Sequence, residues 1–236
     1  MGAMVTVTKK TLENWKDCVD TYVELGMKEI FWRPLNPYGF GEVSFAELGY
    51  DTDTFIDSHR KVLDYVIELN KKGVKLRESY AAIFLKKLYN REDPNFVDTR
   101  SPCGAVVGQV AYNYDGKIYT CDEGRMMGRM GDDLFLVTEA KDDGRETYKS
   151  MMLSPTTKNM VAVSIIDGAP GFEDHPYKPY LGSCPIHNYK HNGSLYPNFS
   201  TNPKTRVETA IIDYVLDRAR DPEVLDIFHS WINKKV

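Results

Sequence analysis

The sequence predicts an α/β chain, α+β overall, in which part of an α/β barrel is followed by a β-hairpin and a helical, loop-rich region. Three observations predict it. Helical apolar spacing alternates with short apolar runs through about residue 90, alternating apolar and polar residues flank Asp115-Gly116, and two amphipathic segments close the chain.

Taken in order, Thr8 and Thr11 offer helix caps, and Leu12, Trp15, Val19, Tyr22 and Val23 recur at helical spacing before Gly26 ends the segment. Residues 29–32 form a buried strand stopped by Arg33-Pro34. A loop rich in Pro, Gly, Asn and aromatic residues then runs to about Tyr50. Loops at strand C-terminal ends are where barrel enzymes place substrate contacts, which makes Arg33, Asn36 and Tyr38 candidate substrate-binding residues. Residues 52–72 predict a second amphipathic helix, with Phe55, Val62, Leu63, Val66 and Leu69 on its apolar face and Gly73 closing it. A short strand is expected at 74–76 and a third helix at 79–89. This alternation fits the end of an α/β barrel and is too short for a whole one. Met1-Gly2-Ala3 before Met4 reads as an expression remnant outside the fold.

The strand beside the missing part of such a barrel would expose unpaired backbone groups. Its edge is expected to be shielded by the N-terminal residues, by a second copy of the chain, by a partner supplying the other half, or within a mixed sheet that includes the hairpin.

In the second half, residues 109–114 and 117–120 alternate around Asp115-Gly116, the dipeptide that best supplies the positive φ angles of a tight hairpin turn. Such a hairpin folds Cys121 back towards Cys103. Residues 132–136 can form a short strand or turn, and 145–153 and 154–165 predict helices. The Pro and Gly density between 168 and 185 predicts a loop that wraps the region of Cys103 and Cys121. Helices at 205–220 and 221–234 close the chain, the second with Asp221 as cap and Pro222 at the first helical position.

Composition bounds the function classes. The chain has 236 residues, 42% of them hydrophobic, enough for a sizeable core in one or two domains. A net charge of −4 and a pI near 5.8 give no electrostatic footprint for nucleic acid. No apolar run spans a membrane and no signal peptide is evident, so a cytoplasmic location is expected. Four widely spaced cysteines argue for thiols or metal ligands over a disulfide framework. Three of them, Cys103, Cys121 and Cys184, look like ligands of one metal centre.

The motifs around these cysteines carry a family resemblance. Ser101-Pro-Cys103-Gly, Ala111-Tyr-Asn-Tyr-Asp-Gly116, Ile118-Tyr-Thr-Cys-Asp-Glu-Gly-Arg-Met126, Pro176-Tyr-Lys-Pro-Tyr180 with Cys184-Pro, and Ala210-Ile-Ile-Asp-Tyr214 together resemble the SPASM extension of radical SAM enzymes that mature ribosomal peptides. The similarity is nearest to the maturases of the His-Xaa-Ser peptide systems, and Ile30-Phe-Trp-Arg-Pro-Leu-Asn-Pro-Tyr-Gly39 resembles a late strand and loop of their catalytic barrel. The resemblance implies a partial radical SAM-type barrel segment over 5–95 and a SPASM-like domain over 96–236.

The chain departs from that pattern in two ways. It has no Cys-x-x-x-Cys-x-x-Cys triplet, the loop whose thiolates hold the cluster that binds S-adenosylmethionine, so none is expected to bind to this chain alone. The family pattern also places ligands of a second auxiliary cluster at Phe172, His175, Leu181 and Thr205, none of them cysteine here. What the resemblance leaves is the first set, Cys103, Cys121 and Cys184, without a fourth cysteine between Gly104 and Val110.

The three thiols admit three readings: a four-iron auxiliary cluster with one open iron, a closed Cys3His zinc site with His187, His191 or His175, or buried unligated thiols. His187 stands out because Cys184-Pro-Ile-His187 places an imidazole near a thiolate. Arg125 could orient a substrate carboxylate, although Asp122-Glu123-Gly124-Arg125 also fits a solvated turn. Cys18, His59 and His229 fit ordinary core or surface positions. The functions consistent with this pattern are a degenerate or truncated relative that binds a peptide or partner enzyme, the C-terminal fragment of an active maturase completed by a radical SAM half, and a zinc-stabilised structural module.

Overall fold

The computed structural model of the chain describes residues 2–233, apart from the side chain of Phe40. Strand β1 (Gly2–Thr6) leads to helices α1 (Lys9–Glu13) and α2 (Trp15–Glu24), then to β2 (Glu29–Arg33), α3 (Phe40–Leu48) and α4 (Thr52–Lys71). Strand β3 (Arg77–Glu78) and α5 (Ser79–Leu85) follow, the helix passing into a π-helical turn at Lys86–Asn90. Next come β4 (Ala111–Tyr112), β5 (Lys117–Tyr119), α6 (Asp122–Arg129) and β6 (Leu136–Glu139). Helices α7 (Gly144–Leu153), α8 (Pro155–Val163), α9 (Pro185–Asn192), α10 (Pro203–Arg218) and α11 (Pro222–Ile232) complete the chain.

These elements form two compact units, one of Met1–Asn36, Ser44–Pro94 and Arg206–Val236, the other of Pro37–Val43 and Asn95–Thr205. In the first, β1, β2 and β3 make a parallel sheet in that order. Ile30, Phe31 and Trp32 of β2 are all buried, as expected of a central parallel strand covered on both faces. The second unit holds an antiparallel sheet, β4-β5-β6.

The first unit is tied together by one carboxyl group. Glu78 is fully buried, and its oxygens accept the backbone N–H groups of Trp32 (3.2 Å), Tyr80 (3.1 Å) and Ala81 (2.6 Å). It thereby caps α5 and bonds to β2 at once. The His59 imidazole of α4 lies 3.2 Å from the same carboxyl, and the Trp32 indole donates to Ser58 at 3.1 Å. His59 is thus a core residue with a partner.

Several expectations need correction. Gly2 and Ala3 are not outside the fold, because they pair with Glu29 and Ile30 as the first two rungs of the sheet, with Ala3 and Val5 buried. Met1 lies outside the described residues. The N-terminal residues therefore shield one edge of β2, and β1 becomes the terminal strand of that sheet. The loop expected up to Tyr50 contains α3, whose glycine-rich start hides a helix closed by the Gly49 N–H to Phe45 carbonyl bond of 2.8 Å. The strand expected at 74–76 begins at Arg77 instead, because the Leu76 carbonyl is taken by the Asn70 side chain at 2.7 Å. Asp122 to Arg125 open α6 where a turn was expected. The closing helix ends at Ile232, and its expected last residue, Lys234, lies outside the described residues.

Replacing Glu78 with Ala orphans three buried backbone donors, and the expected loss is roughly 3–5 kcal/mol, read as a lowered denaturation midpoint. Glu78→Gln, which keeps an acceptor, should lose clearly less. Equal losses would show that the carboxyl does not organise the unit.

Candidate metal centre

Each of the three cysteines is placed by a different local device. Cys121 follows β5 and is the N-cap of α6, its sulfur accepting the Gly124 N–H at 3.4 Å. Helix α6 can lie against the hairpin because Gly124 and Gly128 share one face at i,i+4 spacing. A β-carbon at Gly124 would come within 3.0 Å of Phe135 Cβ, and one at Gly128 would fall inside contact distance of the Tyr119 ring. The glycines are there for packing.

Cys184 is the N-cap of α9, with Pro185 at the first helical position. Just before it, Gly182 passes so close to the Thr99–Arg100 backbone that any β-carbon would overlap it. Asn188 fixes the other side: it donates to Ser183 (2.9 Å) and to the Leu195 carbonyl (3.1 Å) and accepts from Asn202 (2.6 Å), the residue preceding α10.

Cys103 is anchored by its N–H to Ser164 Oγ at 3.0 Å. Three residues on, the Val106 N–H bonds to the carbonyls of Gln109 (2.9 Å) and Thr120 (3.0 Å). The second bond draws the Cys103 loop onto the residue before Cys121, as the hairpin reading expected. Val106 holds φ at +59°, a left-handed conformation unfavourable for a β-branched residue.

The three thiols lie in one apolar cluster with Tyr38, Val106, Ile118, Phe135 and Ile186, and each is 3–5% exposed. Burial pushes the Cys103 thiol up to about 11, while the Ala105 N–H acts the other way. Burial pushes Cys121 and Cys184 higher still, with the Glu123 carboxyl adding to the first and Cys103 to the second. The Glu123 charge pushes all three thiols in the same upward direction. Among the described residues, no group of three or more His, Cys, Asp and Glu side chains is arranged to hold a single metal ion. A closed Cys3His zinc site has no support among the described residues.

Of the histidines weighed as ligands, His187 is buried on α9, one turn beyond Cys184, and its Nδ1 has no hydrogen-bond partner. Burial, His191 and Lys204 push its imidazolium down to about 3, so at neutral pH the ring carries a free lone pair. His191 lies against it with ring centroids 4.3 Å apart and is itself exposed. His175 belongs elsewhere, with its ring centroid 4.2 Å from that of Phe199 and its Nδ1 accepting the Tyr177 N–H.

The candidate substrate residues are not all free to bind. Tyr38 is buried among the thiols, and Arg125 is held by Asp122 of its own helix at 2.6 Å. Arg33 ends β2 with a guanidinium nitrogen 3.4 Å from the Met4 sulfur, and Asn36 is half-buried. Cys18 is half-buried on α2, and His229 packs edge-on to Tyr89. Sequence reasoning missed Glu123, Ser164 and Lys204. Only Glu123, two residues after Cys121, left a signal that could have been used.

The positions assigned to a second cluster are filled by packing. Phe172 is fully buried edge-on to Phe199 at 5.3 Å, Leu181 and Thr205 are buried, and His175 lies against the same phenylalanine.

No family model matches this chain. No curated protein matches it. Solved structures do match. Native anSMEcpe with bound AdoMet, an anaerobic sulfatase-maturating radical SAM enzyme with a SPASM/twitch domain, superposes with a TM-score of 0.70 at 13% identity, over 96% of this chain and 56% of that one. The same protein with AdoMet and the Cp18Cys peptide gives 0.68 at 12% identity, covering 96% and 57%. With the Kp18Cys peptide it gives 0.64 at 11% identity, over the same shares. The chain thus has a partial radical SAM-type fold and spans little more than half the length of these neighbours.

Two predictions test the packing and the thiols. Gly182→Ala should destabilise the protein by about 1–3 kcal/mol through backbone overlap, whereas Gly144→Ala, at the open first residue of α7, should stabilise it by about 0.4–1 kcal/mol. Chemical denaturation of both variants checks this. In metal-free native protein at pH 8, a thiol reagent should label Cys18 before Cys103, Cys121 and Cys184, because Cys18 is half-buried while the three are buried and raised more strongly. Raised folded-state values stabilise the fold below the unfolded thiol value. The Cys103 share should therefore fade as pH rises from 9.0 towards about 11, seen as a falling denaturation midpoint.

Proposed function

We propose that this chain is a cluster-binding, peptide-holding relative of the radical SAM enzymes that modify ribosomal peptides, with 5–95 as the barrel segment and 96–236 as the SPASM-like domain. One observation carries the reading: Cys103, Cys121 and Cys184, far apart in sequence, meet as buried thiols in one apolar cluster. A four-iron cluster takes one thiolate at each of separate corners, and three cysteines would serve three of them. Helix N-termini at Cys121 and Cys184, and N–H groups of Gly124 and Ala105 directed at sulfur, favour the thiolate forms that such a cluster requires. The buried His187 Nδ1 is a further metal-type donor left without a partner. When bound, the cluster would supply an electron-transfer centre or a Lewis-acidic iron.

The chain's own part is to hold the cluster away from water and to position a peptide. That a peptide is the partner is supported by the resemblance of its motifs and by the peptides bound to the solved neighbours. Without the cysteine triplet, no cleavage of S-adenosylmethionine is proposed for the chain alone. A place among the His-Xaa-Ser maturases rests on sequence motifs only, since the structural neighbours are of the sulfatase-maturating kind. A cytoplasmic setting remains part of the proposal; among the described residues no helix is long and apolar enough to cross a membrane.

A second reading is favoured by coverage. The chain matches 55% to 57% of its neighbours' length, and β1 is the last strand of its sheet. On that reading it is the C-terminal half of an active maturase, completed by a radical SAM half. A homodimer covering the β1 edge has no observation in its favour.

Anaerobic loading with iron and sulfide tests the main reading. Iron and sulfide at about four each per chain are expected, lost in a Cys103→Ala, Cys121→Ala, Cys184→Ala variant. A metal-free protein in both cases, or one zinc lost in the variant, would overturn it. Cleavage of S-adenosylmethionine restored by mixing with a separate triplet-bearing protein would select the half-enzyme reading.

A further inference from the structure

Three cysteines leave a four-iron cluster one ligand short. The Gly104–Val110 stretch, where the sequence pattern would have a fourth, has only the Gln109 amide and aliphatic residues or glycine. The missing ligand must come from elsewhere, or the fourth iron stays open.

Helix α9 carries an unexplained polar atom beside this site. His187 is 9% exposed, and its Nδ1 is buried without any hydrogen-bond partner. Leaving a buried acceptor or donor unmade costs about 1–3 kcal/mol, so such an atom in a well-packed protein needs a reason. Its neighbour Asn188 shows what satisfaction looks like here, with three hydrogen bonds made. His187 lies three residues after Cys184, which caps the same helix, so the two share one helical face. Ile186, the residue before His187, belongs to the same buried cluster as the three cysteines.

We infer that His187 is the fourth ligand of the cluster held by Cys103, Cys121 and Cys184, closing it through Nδ1 as a Cys3His site. The inference rests on the cluster reading above. Imidazole replaces thiolate on iron-sulfur irons where a less negative centre is wanted, and it raises the reduction potential. A closed cluster of this kind would transfer electrons or brace the fold; it would not bind a peptide group at iron. Glu123, in the first turn of α6 two residues after Cys121, is the other candidate donor, and Glu123→Gln tests it.

The test uses the full chain loaded with iron and sulfide, reduced, with nitrogen-15 histidine incorporated. Pulsed EPR should show coupling of a histidine nitrogen to the cluster in the wild type and in Glu123→Gln. His187→Cys should keep the iron, lose the nitrogen coupling and shift the reduction potential downward. An iron-loaded wild type without nitrogen coupling overturns the inference and leaves the cluster reading standing. So does coupling that persists in His187→Cys, which would assign it to another of the five histidines, His191 first among them. A chain that takes up no iron overturns both. Because the wild-type spectrum needs no substitution, a variant that fails to fold does not remove the test.

Discussion

The second unit depends on backbone approaching backbone and ring more closely than a β-carbon permits. Gly182 runs against Thr99–Arg100, and the Gly124 and Gly128 face of α6 lies on Thr120, Phe135 and Tyr119. These contacts set where Cys184 and Cys121 begin their helices, while the Val106 to Thr120 hydrogen bond fixes the Cys103 loop to the same hairpin. A methyl group at any of these points would move a cysteine. Glycine here serves close packing, not flexibility.

That packing gives the thiols a demanding environment. Apolar burial opposes ionisation at all three, and any one thiolate makes the others harder to form, as Cys103 does for Cys184. The Glu123 carboxyl adds to the same bias. Without a cation the stable state is three neutral thiols. A positively charged inorganic core reverses the balance, since it stabilises the thiolates that burial alone forbids. The same surroundings therefore make the thiols inert when free and, on the proposed reading, retentive when loaded.

Local signals made much of this fold legible. Asp115-Gly116 marked the hairpin, with Gly116 at φ +84°, and the periodicity of 52–72 marked α4 almost to its ends. The closing helices were visible from their caps, such as Asp221 bonding to the Glu223 N–H at 3.0 Å. Where the sequence misled, a tertiary contact had overridden the local signal. Asn70 took the Leu76 carbonyl and delayed β3, Gly39 and Gly41 concealed α3, and Gly124 read as a turn because its packing role cannot be seen without Phe135. The cysteines were legible from motifs. Ser164, which anchors Cys103 across 61 positions of chain, was not, because such a contact leaves no trace in local spacing.

The two ligand sets of the resembled pattern have different physical fates in this chain, and the difference bears on whether a metal is bound. A site whose ligands are lost becomes either a void or a packed core, and unpaired polar atoms left behind are costly. Phe172 and His175 pack against Phe199, Leu181 is buried, and the one imidazole there is bonded through Nδ1 to the Tyr177 N–H. Around Cys103, Cys121 and Cys184 the thiols themselves remain, packed among apolar side chains. Val106 keeps an unfavourable φ, and His187 keeps a buried nitrogen unpaired. On the proposed reading, the left-handed Val106 and the orphaned His187 nitrogen are features that a ligand at the first set would account for.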